Sequence, residues 1–367
     1  MNIELSTFAA RLRGLVEQHE FLAGKQPLPQ NFDSLALELF ALQFKYNPVY
    51  AELCEARQLT PATVRFWAQV PFVPAGAFKE LEFSCIPPGG RTAVFHSSGT
   101  TDQKPSRHFH CAESLALYEA SLGHWFRVHF SGANEFVFLT PNQDAAPRSS
   151  LVYMFETVRK NAGTGHAEFF GDVAADGAWT MDFDSIVKKL KSADDDGRPL
   201  TILGTAFSFV HLLDFLGEND LQFGLPGGSR VMETGGYKNR SRTLPKSELH
   251  ALITERLGVP AENITCEYGM SELSSQAYDW EFHPPSSVVR PRAFHFPPWA
   301  RVQIISPETG REVADGETGL VRIFDLANVF SVAAIQTEDL GIRRGEGFEL
   351  LGRAQPAEPR GCSLMTA

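Results

Sequence analysis

Three stretches of the chain carry residue types that could do chemistry together. The first is Ala93-Val94-Phe95-His96-Ser97-Ser98-Gly99-Thr100-Thr101-Asp102-Gln103-Lys104-Pro105-Ser106-Arg107. Four hydroxyls surround one glycine, and two cations follow closely. Such a loop offers backbone N–H groups and hydroxyls as phosphate donors, with Lys104 and Arg107 to balance charge. It is not a Walker A loop, because the G-x-x-x-x-G-K-[ST] pattern is absent. The same composition also makes ordinary Ser/Thr-rich surface turns. The second stretch is Tyr268-Gly269-Met270-Ser271-Glu272. An aromatic beside glycine can stack a purine, and a carboxylate a few residues on can hold Mg²⁺ through hard oxygen ligation. An isolated Tyr-Gly is more often a plain strand-to-loop turn. The third is Glu358-Pro359-Arg360-Gly361-Cys362-Ser363-Leu364. Thiolate is the reactive form of cysteine, its ordinary pKa is about 8.5, and a nearby cation such as Arg360 lowers it. A chance cysteine in a frayed tail is the plain alternative.

These stretches need elements to position them. Up to about Glu80 the chain reads mainly as helices, with Phe8, Leu12 and Leu15, then Leu35, Leu37, Phe40, Leu42 and Phe44, at helical spacing. Pro61 after Thr60 suits a helix first turn, and Val70–Lys79 reads as a loop into the sheet. The phosphate-binding run is expected as strand, loop, then helix from near Glu113. Short strands follow at Phe136–Pro141, Leu200–Thr205, Arg230–Thr234 and Ile264–Tyr268, with helices at Phe207–Phe215 and Pro245–Leu257, the latter capped by Gly258. Ser192–Gly197 reads as a solvated acidic loop. The alternation implies an α/β core with much parallel pairing, whose ligands collect beyond the carboxyl ends of strands. After about Val288, short strands at Val302–Ile305, Gly319–Ile323 and Gly347–Leu351 suggest a small antiparallel β subdomain.

Length and composition narrow the classes. A chain of 367 residues, 43% hydrophobic, can bury a sizeable core. A net charge of -11 argues against a nucleic-acid-binding surface. The N-terminus reads as neither signal peptide nor membrane span, so a cytoplasmic protein is expected. The five cysteines (Cys54, Cys85, Cys111, Cys266 and Cys362) are odd in number and dispersed, which fits reduced thiols and no disulfide or zinc framework. The 29 phenylalanines suit both a core and a pocket for a long apolar ligand.

Taken in chain order, the motifs resemble those of the adenylate-forming superfamily of acyl-CoA synthetases, peptide-synthetase adenylation domains and luciferases. Ser97 to Lys104 is similar to its phosphate loop, with two departures. Asp102 stands where glycine is usual, and the lysine precedes Pro105 where it usually follows. Tyr268-Gly269-Met270-Ser271-Glu272 matches Y-G-x-[ST]-E at each position, which implies adenine flanked by Tyr268 and Mg²⁺ on Glu272. Glu233-Thr234-Gly235-Gly236 resembles the glycine-rich adenine loop. Gly316-Glu317-Thr318-Gly319 resembles a structural turn. Thr337-Glu338-Asp339 resembles T-x-D, which assigns Asp339 to the ribose hydroxyls, a role suited to a carboxylate acceptor. Gly352-Arg353 resembles the G-R that closes the large domain, with Arg353 reaching ribose or phosphate.

The tail is similar to that of the acyl-protein synthetase family of the bacterial bioluminescence fatty acid reductase complex. That resemblance implies a large-domain fold of mostly parallel sheets flanked by helices, without the mobile C-terminal domain of about a hundred residues that other members carry. The expected organisation is a core over 1–287 with a helical N-terminal segment, a small β subdomain over 288–353, and a tail over 354–367 bearing Cys362. The implied reaction is ATP-dependent conversion of a fatty or other carboxylic acid to acyl-AMP, with Ser97, Ser98, Gly99, Thr100, Thr101 and Lys104 on phosphates. Cys362 then takes the acyl group as a thioester and passes it to an acyl reductase partner. A tethered thiol has a high effective concentration. Two alternatives stay open. One is an acyl- or aryl-CoA ligase akin to phenylacetate–CoA ligase, with coenzyme A or a carrier protein as acceptor. The other is a non-catalytic nucleotide-binding protein.

Overall fold

The computed structural model describes residues 2–19, 31–97, 104–132, 135–162, 167–235, 242–280 and 292–354. Helices α1 (Ile3–Glu17), α2 (Phe32–Tyr46) and α3 (Pro48–Ala56) open the chain. Asn2, Asn31 and Asn47 cap them, each side-chain oxygen accepting a backbone N–H that the first turn leaves unpaired. Leu5, Phe8, Leu12 and Val16 make one buried stripe on α1. Pro61 does not start a helix. Val64 N–H and Thr63 N–H both bond Thr60 O, closing a single turn that goes no further.

Next come β1 (Val73–Pro74), β2 (Ala93–His96), β3 (Arg107–His110) and α4 (Ala112–His129). Here the expected strand–loop–helix is corrected. Arg107-His108-Phe109-His110 is itself a strand, paired antiparallel with β2 from Ala93↔His110 to His96↔Arg107. The phosphate-loop candidate therefore joins the two arms of a hairpin that stands apart from the large sheet. His108 and His110 face the core while Arg107 and Phe109 are less buried, the two-residue period of a strand.

The alternating part runs β4 (Phe136–Phe138), α5 (Ser150–Ala162), β5 (Ala167–Phe169), β6 (Gly171–Val173), β7 (Trp179–Met181), α6 (Phe183–Asp196), β8 (Thr201–Thr205), α7 (Ala206–Glu218), β9 (Arg230–Thr234), α8 (Lys246–Leu257) and β10 (Ile264–Tyr268). Ser192–Asp196 is not a loop. It is the last turn of α6, with Ala193 buried and Gly197 closing the helix at φ 66°. Strands β5, β4, β8, β9 and β10 lie side by side and parallel. Successive residues serve opposite faces. Leu203 and Met232 join the core beside α4 and α5, whereas Ile202, Val231 and Ile264 join the core under α6, α7 and α8. A sheet covered on both sides reads as continuous apolar runs, which is why β4, β8, β9 and β10 were visible in the sequence, whereas the three-residue, partly exposed edge strand β5 was not.

The remaining strands are β11 (Ala277–Trp280), β12 (Ala293–His295), β13 (Ala300–Ile305), β14 (Thr318–Asp325), β15 (Ala334–Arg344) and β16 (Gly347–Arg353). They pair antiparallel and continue from the edge of β10, giving the order β13-β14-β15-β16-β12-β11-β10-β9-β8-β4-β5. The antiparallel strands expected after Val288 are thus present, hydrogen-bonded into the same sheet as the parallel ones. At Gly319 a Cβ would sit 2.5 Å from Ile305 O, so only glycine lets β13 and β14 approach. Among the described residues no helix is long and apolar enough to cross a membrane.

Candidate active site

Tyr268 ends β10 and Asp339 lies mid-way along β15, four strands away in the sheet order. At about 4.8 Å per strand a flat sheet would separate them by about 19 Å. Instead, the Tyr268 hydroxyl donates to Asp339 Oδ2 at 2.7 Å. The sheet curls back on itself, and its concave side is filled by rings. Tyr268 meets Phe348 on β16 at 5.3 Å between centroids and Phe294 on β12 at 6.0 Å, both steeply inclined.

Asp339 pairs in register with Arg353 at the end of β16. The guanidinium lies 3.8 Å from Asp339 Oδ1 and is 81% exposed, so its charge remains open to a ligand. Burial pushes the pKa of Tyr268, Glu272 and Asp339 upward, and the Arg353 charge opposes that rise in all three. The Arg353 charge is thus felt by all three groups, with its ion-pair contact at Asp339.

Glu272 is 3% exposed in the turn that follows β10. Its Oε1 accepts the Ser106 hydroxyl and its Oε2 accepts the Ser271 hydroxyl at 3.0 Å. Ser106, at the foot of β3, donates its backbone N–H to Ser97 Oγ at 2.9 Å. The hairpin and the turn after β10 are therefore locked together from Ser97 through Ser106 to Glu272. The side chains that meet the Glu272 carboxylate here are the hydroxyls of Ser106 and Ser271. Glu272 has no ion pair among the described residues, and burial holds its carboxyl above the usual range.

Of the other expected residues, Lys104 meets Glu80 at 3.2 Å with side chains 53% and 71% exposed. Such a pair is worth little and exchanges readily. Gly235 follows β9 at φ 67° with open space around it. What demands glycine there is the left-handed backbone, not close packing. Gly269 lies exposed after Tyr268. Ser98, Gly99, Thr100, Thr101, Gly236 and Cys362 lie outside the described residues.

Several buried groups support this rim without belonging to a motif. Asn328, between β14 and β15, donates to Glu272 O and Val332 O at 2.8 Å each and accepts the Ser274 hydroxyl at 3.1 Å. Asp325 accepts Ser274 N–H and the Ser275 hydroxyl, both at 2.8 Å. Burial pushes its carboxyl up to about 6. Glu267 accepts the Thr234 hydroxyl, tying the ends of β9 and β10. Ser106 could have been found from its place in the hydroxyl-rich run. Asp325 and Asn328 left no local signal, because their partners lie some fifty residues away in sequence.

The curled, part-parallel sheet with a site at its strand ends is the architecture of adenylate-forming enzymes. A crystal structure of 2-hydroxyisobutyryl-CoA ligase with 2-HIB-AMP and CoA superimposes with a TM-score of 0.62. It is 14% identical and covers 91% of this chain and 81% of that one. An ATP-bound RpMatB-BxBclM chimera gives 0.51 at 16% identity over 72% of this chain, which spans about half (48%) of the chimera. The model of the family described as acyl-protein synthetase, LuxE, matches residues 24–367, and the chain belongs to that family. It is therefore an enzyme of the ligase class. The long-chain-fatty-acid–luciferin-component ligase of Aliivibrio fischeri is 25% identical over 91% of this chain and 87% of its own.

Proposed function

We propose that this enzyme uses ATP and Mg²⁺ to activate a long-chain fatty acid and then acylates its own Cys362. The observation that carries the reading is the junction of Ser97, Ser106 and Glu272 on one rim with Tyr268, Asp339 and Arg353. In the first step a carboxylate oxygen of the acid attacks the α-phosphorus of ATP. An acyl-phosphate anhydride bond forms, and the bond to pyrophosphate breaks. In the second, the Cys362 thiolate attacks the acyl carbon, a thioester forms, and AMP leaves.

Catalysis in this scheme is positioning and charge neutralisation. Asp339 Oδ2 is already held by Tyr268, which leaves Oδ1 to accept from ribose hydroxyls. Arg353 and an exchangeable Lys104 supply positive charge, and the Ser97–Thr101 run supplies donors. The hydroxyl partners of Glu272, with no ion pair to it among the described residues, suit a hard divalent ion held by Glu272. Mg²⁺ bound there would offset charge on the phosphates. The acyl group would leave Cys362 for a reductase partner.

Intact-mass measurement after incubation with ATP, Mg²⁺ and a panel of fatty acids tests the scheme. The expected result is a mass gain of one fatty acid less water, absent from Cys362→Ser while ATP–pyrophosphate exchange persists. No exchange with any acid would sink adenylation. Undiminished acyl-CoA formation by Cys362→Ser would move the acceptor to coenzyme A, and tight ATP binding without turnover would mark a nucleotide-binding protein without catalysis.

A further inference from the structure

Glu233 on β9, His250 on α8 and Cys266 on β10 bring one carboxylate oxygen, one ring nitrogen and one sulfur within 4.8 Å of one another. Cys266 Sγ lies 2.7 Å from Glu233 Oε1 and 3.6 Å from His250 Nε2, and His250 Nε2 lies 3.6 Å from the same Glu233 oxygen. The three residues are 8%, 9% and 3% exposed. The adenylation scheme uses none of them.

The donor set has a chemical meaning. Thiolate, imidazole and carboxylate together suit a borderline-soft divalent ion and are poor company for Mg²⁺ or Ca²⁺. Tetrahedral zinc, with bonds of about 2.0–2.3 Å, sets its ligand atoms about 3.3–3.7 Å apart. Both contacts of His250 already match. The short sulfur–oxygen contact is a thiol donating to a carboxylate, and it opens once that proton is gone. Charge also balances. The Cys266 thiolate and the Glu233 carboxylate neutralise the ion, and His250 binds as neutral imidazole. The adjoining cation has its own counter-charge, since Lys246 meets Asp279 Oδ2 at 2.5 Å. Asp279 Oδ1 accepts the Cys266 N–H at 2.5 Å and so fixes the strand that presents the sulfur, the supporting role usual around metal ligands.

We propose that Glu233, His250 and Cys266 form a zinc site that pins α8 to the ends of β9 and β10. Binding releases the Cys266 proton to solvent. Three protein ligands leave one position for water. The site stands directly behind Thr234-Gly235 and two residues before Tyr268, so the ion stiffens the rim on which the nucleotide would lie. It does not depend on the adenylation reading, because metal binding is measured without turnover.

The test is metal content and spectroscopy of the full chain. Protein purified without chelator should carry one zinc per chain. Exchange into Co²⁺ should give a thiolate-to-cobalt charge-transfer band and tetrahedral visible bands. Cys266→Ser should abolish the charge transfer, while Cys362→Ser should keep it. His250→Gln should weaken zinc at least tenfold, read by competition with a chromogenic chelator. Chelation of the wild type should lower Tm, and added zinc should restore it. Zinc-free protein that gives no cobalt band and no Tm response to zinc would overturn the site, leaving a hydrogen-bonded core cluster. A band that survives Cys266→Ser would do the same. Because the wild-type measurements decide the matter, misfolding of a variant cannot.

Discussion

Glu272 is a carboxylate buried among hydroxyls, a place that disfavours negative charge until a cation arrives. Glu272→Gln keeps the size and removes the charge. ATP–pyrophosphate exchange should fall about 100-fold or more, the scale of losing one preorganised electrostatic contact in a transition state. A variant that exchanges at the wild-type rate across a Mg²⁺ series would remove Glu272 from the reaction. Tyr268→Phe takes away only the hydroxyl that holds Asp339. The KM for ATP should rise about tenfold, as expected for a hydrogen bond to a charged group, with a smaller change in kcat. An unchanged KM would mean that Asp339 needs no such restraint. Both residues stood out in the sequence because strand-end motifs are local. Ser106 did not, since its value lies in reaching Ser97 and Glu272 at once.

The β14–β15 connection works as a clasp beneath the turn that bears Glu272. Asn328 supplies both hydrogens of its amide to buried carbonyls, one of them Glu272 O. Asn328→Ala leaves those carbonyls unpaired at a cost of about 1–3 kcal/mol each. Thermal stability should drop. The Mg²⁺ concentration for half-maximal exchange should also rise about tenfold, because the carboxylate is no longer held in place. A fall in Tm without any shift in Mg²⁺ dependence would make the clasp purely structural. The hairpin β2–β3 is an element that sequence patterning read only in part. Its second strand alternates histidine with arginine and phenylalanine, so the face turned to the core carries histidines in place of the apolar residues by which strands are usually noticed.

At the scale of the whole molecule, the hairpin carries two buried histidines into the core. Burial lowers the pKa of His108 to about 4, opposed only by its bond to Asn328. His110 next to it is also lowered, by burial and then by His108. Each binds protons more readily when the chain unfolds. The stability they contribute is present above about pH 6.5 and is lost as pH falls toward 4. One such site gives a slope of about 1.4 kcal/mol per pH unit within that window. Asp325, raised to about 6 by burial, slopes the opposite way above its unfolded value. The contribution of His108 is therefore read by difference. Between pH 6.5 and 5, wild type should lose about 2 kcal/mol more stability than His108→Gln, measured by denaturant titration at each pH. Parallel curves would show that His108 titrates as it does in water.

The sequence by itself determined four of the five parallel strands, the helices α4, α7 and α8, and the chain order of the motifs. Each of those is written in a short window, as an apolar run or a glycine-bounded turn. It also determined Glu272, Tyr268 and Asp339 as residue types suited to a cation, a purine and a ribose. Only the tertiary structure decided that these residues meet. Tyr268 and Asp339 are brought to hydrogen-bonding distance by the curl of a twelve-stranded sheet, set by ring packing and twist over seventy residues of chain. Tertiary structure likewise gathered Glu233, His250 and Cys266 from a strand, a helix and a second strand. No spacing rule joins them, because each owes its place to a different element.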